Sequence, residues 1–412
     1  MSLSKIQEPL NLSPVNNPIP IVYGSSYAEQ DGFRYKVELL DSSDSKLTEI
    51  WLYPDTDNSN YCIYDFSMLL GDRITSNKDN WNQTGFTESW ESFYQFNYRI
   101  TEYIGSTSGA TELGKSAGGT YNTFRGVQQY EDTWSDSEYI PRTGITGKFL
   151  SNKTNRKYTL TEYGTINSFF GDLGDYTSRY NRMVIDVYNG DILRRYHYTS
   201  GLGSGHIIGI YTFPIGPKII NDMAIAGSIK TGATSSVVTT GAILDSTTVY
   251  YDIHLQYDDE VVSETKRIYL DHNCYKHDGV EFLYLGELST YETYTARSGD
   301  EKSFKTDKNE IKSNWYDINS TQYSYNVGDR GTSIVNVRTN ESHSVYTDWI
   351  KDSEATDLME LFRSPDVYII KNDNIFPIII TNTSYIEKTV RNNRMFNYNI
   401  NYAMAYERLS NI

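Results

Sequence analysis

The chain has 412 residues, 38% of them hydrophobic and 22% charged, which excludes a disordered polymer and leaves room for two or three domains. Fifty-three acidic residues against 37 basic ones give a net charge of −16, and basic clusters do not exceed pairs such as Arg194–Arg195, which works against binding a phosphate backbone. Cys62 and Cys274 are too few for a disulfide scaffold, and no stretch approaches the roughly 18 consecutive apolar residues of a membrane span.

The first segment, "MSLSKIQEPLNLSP", lacks the apolar core of a signal peptide, so the expectation is a soluble protein folded in a reducing cytoplasm. A Pro-rich extended run, Asn17 to Gly24, opens the first segment. "FRYKVELL" and "TEIWLYP" then read as a hairpin across the polar "DSSDSKL". Asp65 to Ile74 reads as one or two helical turns with Asp65 as N-cap. Residues 76–147 are irregular, polar and aromatic, apart from the strand "FYQFNYRITEYI", where Phe96, Tyr98 and Ile100 alternate with Asn97, Arg99 and Thr101.

Asn189-Gly190 between two strand-like runs predicts a type I′ hairpin over Tyr180 to Tyr198. The apolar run from His206 ends at a Gly-Pro break, and the Gly/Ser/Thr-rich stretch Gly227 to Gly241 predicts a boundary or an inserted loop. "TTVYYDIHLQY" and "SETKRIYL" flank the acidic "DDEVV" as a further hairpin. Ala355, Leu358, Met359 and Phe362 recur at helical spacing until Pro365, giving a helix over 353–363. "VYII" and "IFPIII" pair across "KNDN", with Pro377 suggesting an edge or a bulge. In the last strand Phe396, Tyr398, Ile400, Tyr402 and Met404 form one face. The amide-rich face of Asn397, Asn399 and Asn401 is suited to a neighbour. The 37 tyrosines, against 15 phenylalanines and 6 tryptophans, fit half-buried sheet and polar contact surface.

Four stretches invite chemistry. "GATELGKS", Gly109 to Ser116, matches the phosphate-binding pattern G-x-x-x-x-G-K-[ST], with Gly109, Gly114, Lys115 and Ser116 in place. The pattern works only when a helix N-terminus follows, and "SAGGTYNTF" cannot supply one, so a polar loop is expected. His272, Cys274 and His277 have metal-ligand chemistry, but no second Cys/His cluster lies near in sequence, and a strand end running into a turn is expected. "SGLGSGH", Ser200 to His206, lacks the strand–helix context of a dinucleotide loop. Trp81, Trp90, Phe93 and Tyr94 could stack on sugars, although such stripes are more often core or interface. No catalytic, cofactor-binding or metal residue is assigned on this basis, and neither an enzyme nor a cofactor is expected.

The apolar patterning as a whole resembles tail-hub or baseplate-type structural proteins of tailed double-stranded-DNA bacteriophages of Bacteroidota, including the crAss-like group. The resembling stretches run in order: "FRYKVELL" to "IYDFSMLL", "KFLSN", "YTFPIGPKII", "RIYLDHNCYKHDGVEFLYLGELSTYETYT", "WIKDSEATDLMELFRSPDVYII" and "FNYNINYAMAYE". The resemblance implies a non-enzymatic virion component assembled in the host cytoplasm and located in the tail or neck. It would partner with itself in a ring and with other tail or connector proteins, near the DNA channel without specific nucleic-acid binding. A receptor- or glycan-binding adhesin of the same particle is the alternative.

The expected fold is mainly β, with two or three sandwich- or barrel-like modules and a short helix packed on a C-terminal hairpin. The expected segments are a β-sandwich-like module at 1–75, an irregular insertion at 76–147, a β module with the Asn-Gly hairpin at 148–226, and a C-terminal β module at 242–412.

Overall fold

A computed structural model describes residues 3–58, 60–105, 109–129, 134–154, 156–172, 177–199, 208–232, 237–239, 241–275, 279–312, 317–319, 322–324, 331–382, 395–406 and 408–409. The protein is mainly β, built from multi-stranded sheets in sandwich-like modules with a few short helices. Two compact units divide the chain: Met1–His272 with Leu285–Glu292, and Asn273–Tyr284 with Thr293–Ile412.

In the first unit a three-stranded sheet (Leu3–Gln7, Pro20–Ser25, Cys62–Asp65) faces a six-stranded one. The latter runs Leu12–Pro14, Tyr121–Phe124, Phe93–Ile104, Arg34–Asp41, Lys46–Leu52, with Thr111–Ala117 also paired to Phe93–Ile104. Ile21 and Tyr23 from the first sheet and Val37, Leu39, Phe96, Tyr98 and Ile100 from the second share one core. The alternation at Phe96, Tyr98 and Ile100 therefore meets its expected fate, since every second residue of a strand points to the same side. The Tyr23 and Tyr98 hydroxyls bond each other at 2.9 Å, so the tyrosine tips are satisfied inside the core.

Phe93–Ile104 is the central strand of this sheet, in register with Arg34–Asp41 from Arg34↔Tyr103 to Asp41↔Phe96. The sheet thus runs through the expected division between residues 75 and 76, and the 76–147 segment supplies strands to the first module instead of interrupting it. Helix α1 (Ser67–Gly71) has Phe66 rather than Asp65 at its N-cap; the Asp65 carboxylate, one residue earlier, accepts the Ser67 N–H at 2.9 Å and the Ile19 N–H at 2.7 Å.

A seven-stranded sheet follows, ordered Arg156–Tyr158, Lys266–Leu270, Tyr250–Tyr257, Arg182–Asn189, Ile192–Thr199, Lys230–Thr231, with Glu260–Val261 also paired to Tyr250–Tyr257. The predicted hairpin forms, but Asn189 pairs with Ile192, so the two-residue loop is Gly190–Asp191. Only Gly190 takes a positive φ (64°), the pattern of a II′ turn with glycine first, not the I′ turn expected from Asn-Gly. The Gly227–Gly241 stretch is not a boundary, because Lys230–Thr231 pairs with His197 and Tyr196 and the sheet continues beyond it. The Gly216-Pro217 step starts a helix, α2 (Pro217–Ile225), because proline at the first helical position lacks only an N–H that would be unpaired there.

In the second unit an eight-stranded sheet runs Tyr291–Ala296, Val280–Leu285, Val367–Lys371, Asn374–Ile380, Asn399–Met404, Thr332–Tyr346, Asp300–Lys312, with Arg408–Leu409 also paired to Thr332–Tyr346. Helix α3 (Asp352–Arg363) packs Ala355, Leu358 and Leu361 into one core with Val367, Ile369 and Ile378 of the predicted hairpin. Leu361, not Phe362, completes the buried stripe; Phe362 is half-buried at its margin. Asn372 (φ 52°) and Asp373 (φ 59°) form the tight turn, both left-handed as a I′ loop requires. Pro377 is neither at an edge strand nor a bulge. Its carbonyl accepts the Ala405 N–H, one residue past the end of the Asn399–Met404 ladder, so its missing N–H leaves no paired strand unsatisfied.

Candidate assembly surface

The sequence candidates for chemistry resolve into structure. Thr111–Ala117 is a strand in register with Phe93–Ile104, Lys115 lying opposite Thr101, so the phosphate-loop pattern has neither loop nor following helix. The expected polar loop there is corrected to a strand, because its backbone groups find the partner they need along Phe93–Ile104. His272 bonds through Nε2 to the Thr248 carbonyl at 2.6 Å, Cys274 is exposed, and His277 lies outside the described residues. Among the described residues, no three His, Cys, Asp or Glu side chains gather as metal ligands would. Ser200–His206 also lies outside them.

Trp81 is buried edge-on against Tyr163, ring centroids 4.5 Å apart; Phe93 is tilted on Phe169; Tyr94 packs against the first core. These rings are core rather than a sugar platform. The side chain of Trp90 is outside the described set. Nearby, Asn80, Ser89 and Thr212 line a small recess and are bonded to one another, Asn80 Nδ2 to Ser89 Oγ at 3.0 Å and Ser89 Oγ with Thr212 Oγ1 at 2.8 Å. No carboxylate, histidine or cysteine lines this recess.

A buried charge cluster escapes pattern reading because its members are far apart in sequence. Arg156 donates two parallel bonds to Glu292, Nη1 to Oε2 at 2.6 Å and Nη2 to Oε1 at 2.7 Å, and a third to Ser151 Oγ at 2.6 Å. Ser151 Oγ–H in turn donates to Glu292. Both charged side chains are 1% exposed. Burial would raise the Glu292 carboxyl, but the Arg156 guanidinium beside it, with Lys153 behind, holds it below the ordinary carboxylate range. Both carboxylate oxygens are occupied by the guanidinium, so this is a lock that fastens Leu285–Glu292 to the first unit, not an acid or base.

A long ribbon presents exposed surface on both faces. Asp300–Lys312 and Thr332–Tyr346 pair antiparallel over thirteen residue pairs, from Asp300↔Val345 to Lys312↔Thr332. At about 3.4 Å per residue the ribbon is roughly 40 Å long. Its root is anchored, because Ser342–Tyr346 also pairs with Asn399–Ala403 and Val345 is fully buried. Further out, both faces are open: every residue of Asp300–Lys312 is exposed, among them Phe304 at 55% and Ile311 at 56%. Ile334 and Val335 add exposed apolar surface on the second strand, and Val335 is the extra residue where the register slips opposite Asn309/Glu310.

The charge pattern of the ribbon differs from that of the chain. Asp300–Lys312 carries four lysines against two aspartates and two glutamates, so it is neutral, in a protein whose net charge is −16. No family model matches the chain, and no curated protein matches it.

Proposed function

We propose that this protein is a structural component of a bacteriophage virion, part of a tail hub, baseplate or connector ring. The supporting observation is the ribbon of Asp300–Lys312 and Thr332–Tyr346. A two-stranded ribbon open on both faces is marginal in water, because it buries little apolar area against the entropy of ordering it. A ribbon of this length with exposed Phe304, Ile311, Ile334 and Val335 is economical only where a partner covers it, as assembly arms are covered. The mainly-β sandwich modules and the in-order sequence resemblance to tail-hub and baseplate proteins agree with this reading.

A second reading, a glycan-binding adhesin of the same particle, draws on Trp51. Its ring is 42% exposed, lies 5.1 Å from Tyr103 and carries the Arg34 guanidinium 4.6 Å from its centroid, a composition that stacks on sugar rings. Electron microscopy of intact particles labelled with an antibody fragment against this protein separates the two. Label in a ring at the tail or neck is expected, and label confined to appendage tips would favour the adhesin. Protein confined to infected cells and missing from particles would refute both.

A further inference from the structure

The strand Asp300–Lys312 lies at the end of its sheet. One edge is paired along its whole length with Thr332–Tyr346; among the described residues no strand pairs with the other. Natural edge strands are commonly blunted by charge, and charges are present here, but their order is unusual. When this strand is laid antiparallel against a copy of itself with Thr306 opposite Thr306, Asp300 meets Lys312, Lys302 meets Glu310 and Lys305 meets Asp307. Each pair occurs twice, and no like charges meet. Phe304 falls opposite Lys308, whose aliphatic stem and ammonium both suit an aromatic face.

Neighbouring registers lack this property. A slip of one residue opposes Glu301 to Glu310 in one direction and Lys305 to Lys308 in the other. Slips of two residues oppose Lys302 to Lys308 or Lys302 to Lys312. Like charges directly opposite one another destabilise a strand pair, so the edge disfavours slips of one or two residues in either direction; slips of three oppose no like charges but keep only two kinds of opposed pair against three. Within the chain, Asp300 accepts from His343 Nδ1 at 2.9 Å, and Lys302 bonds Glu341 and sits 4.9 Å from the Phe304 centroid. The Asp300 and Lys302 ion contacts reach toward the inner strand, and the Lys302–Phe304 contact runs along the edge strand itself.

We infer that two copies of this chain join through Asp300–Lys312, edge to edge and antiparallel, on a two-fold axis at Thr306. The two ribbons become one four-stranded sheet, and the contact is isologous, the same patch on both partners. This pairing rests on the ribbon alone and not on the virion reading; labelled particles test the latter and purified protein tests the former, so either can fail without the other.

The test uses the purified full chain. Lys305→Glu alone sets two carboxylates opposite each other at the 305/307 pair, and Asp307→Lys alone sets two ammonium groups there, in both cases twice per dimer. An equimolar mixture of the two variants restores opposite charges at every such pair. Sedimentation over about a hundredfold range of concentration should show a dimer for the wild type, association weakened at least about tenfold in each single variant, and recovery in the mixture. Circular dichroism of each variant controls for folding.

Register is read by Thr306→Cys in a Cys274→Ser background, Cys62 being buried with its thiol pushed up to about 12 by desolvation. Directly opposed residues lie about 4.5–5.5 Å apart at Cα, within disulfide reach. Thr306→Cys should therefore cross-link on mild oxidation, and Ser303→Cys, about 20 Å from its copy, should not. A wild type that stays monomeric throughout would overturn the proposal. So would a dimer indifferent to the charge variants, or cross-linking at 303 and not at 306.

Discussion

Glu292→Gln tests whether the Arg156–Glu292 pair locks the first unit. The substitution keeps the volume and removes the charge, leaving the guanidinium of Arg156, 1% exposed, without its counter-ion. Two short bonds, 2.6 and 2.7 Å, are weakened together. Removing one partner of a buried pair costs about 3–5 kcal/mol, because the remaining charge keeps its desolvation penalty. With a urea slope near 3 kcal/mol/M, the midpoint of the first unit should fall by roughly 1–2 M. The double variant Arg156→Met/Glu292→Leu removes both charges and should be less damaging than Glu292→Gln, since replacing a whole buried pair by apolar groups is often near neutral. Hydrogen exchange localises the effect to Leu285–Glu292 and the strand at Arg156–Tyr158. The pH dependence has a definite sign. The folded pKa of Glu292 lies below its unfolded value, so its contribution is full above about pH 4.5 and is lost as pH falls through the folded pKa. Glu292→Gln should flatten that acid limb. A midpoint shift below about 0.3 M with an unchanged acid limb would refute the lock.

Gly216→Ala should cost more than about 2 kcal/mol in chemical melts, because a Cβ there would sit 2.2 Å from the Gly164 nitrogen and 2.4 Å from the Tyr163 carbonyl carbon, backbone atoms that cannot rotate away. Gly71→Ala, with open space around its Cβ, is the control and should be within about 0.5 kcal/mol of wild type. Asn372→Val forces a β-branched residue to φ 52° and should lower the second unit's melting temperature by several degrees, whereas Asp373→Gly should raise it; equal temperatures for the two would contradict the I′ turn. Burial holds His254 and His197 below the ordinary histidine range, so the unfolded chain binds more protons once pH drops under about 6.5, and stability declines from there. His254→Asn should reduce that slope in urea melts taken at a series of pH values.

Much of the fold was legible because strand periodicity and turn chemistry are local. Phe96, Tyr98 and Ile100, the hairpin of Val367–Lys371 with Asn374–Ile380, and the helix ending at Arg363 all follow from spacing within a dozen residues. Partner choice was not legible. Phe93–Ile104 pairs back to Arg34–Asp41, and Leu285–Glu292 belongs with residues far upstream, through contacts that no local pattern encodes. The amide-rich face shows the same limit. That face reads as suited to a neighbour, yet the Asn399 side chain accepts from Ser344 Oγ at 2.9 Å and Asn397 Nδ2 donates to the Thr347 carbonyl at 2.6 Å, so these two amides serve their own unit. Asp300–Lys312 gave no strand signal because its charged residues lack periodicity, although they pair over thirteen positions.

Salt offers a sharper discriminator for ribbon pairing than affinity does. Each copy carries −16, so whole-body repulsion opposes association at very low ionic strength, while the edge strand is neutral and attracts its copy through opposed charges. The two effects act over different distances. Repulsion between bodies is long-range and is largely screened once the Debye length shrinks to about 10 Å, near 0.1 M salt. Opposed side chains across a strand pair lie about 5 Å apart at Cβ and are weakened mainly at higher salt, where the Debye length approaches 3 Å. Dimerisation should therefore strengthen from about 0.01 M to about 0.1 M salt and weaken again toward 1 M. Association driven by Phe304, Ile311 and Ile334 alone would lack the second limb, because salting-out strengthens apolar contact. Sedimentation across that salt series decides between them: a maximum at intermediate salt supports the charge pairing, and a steady rise to 1 M refutes it.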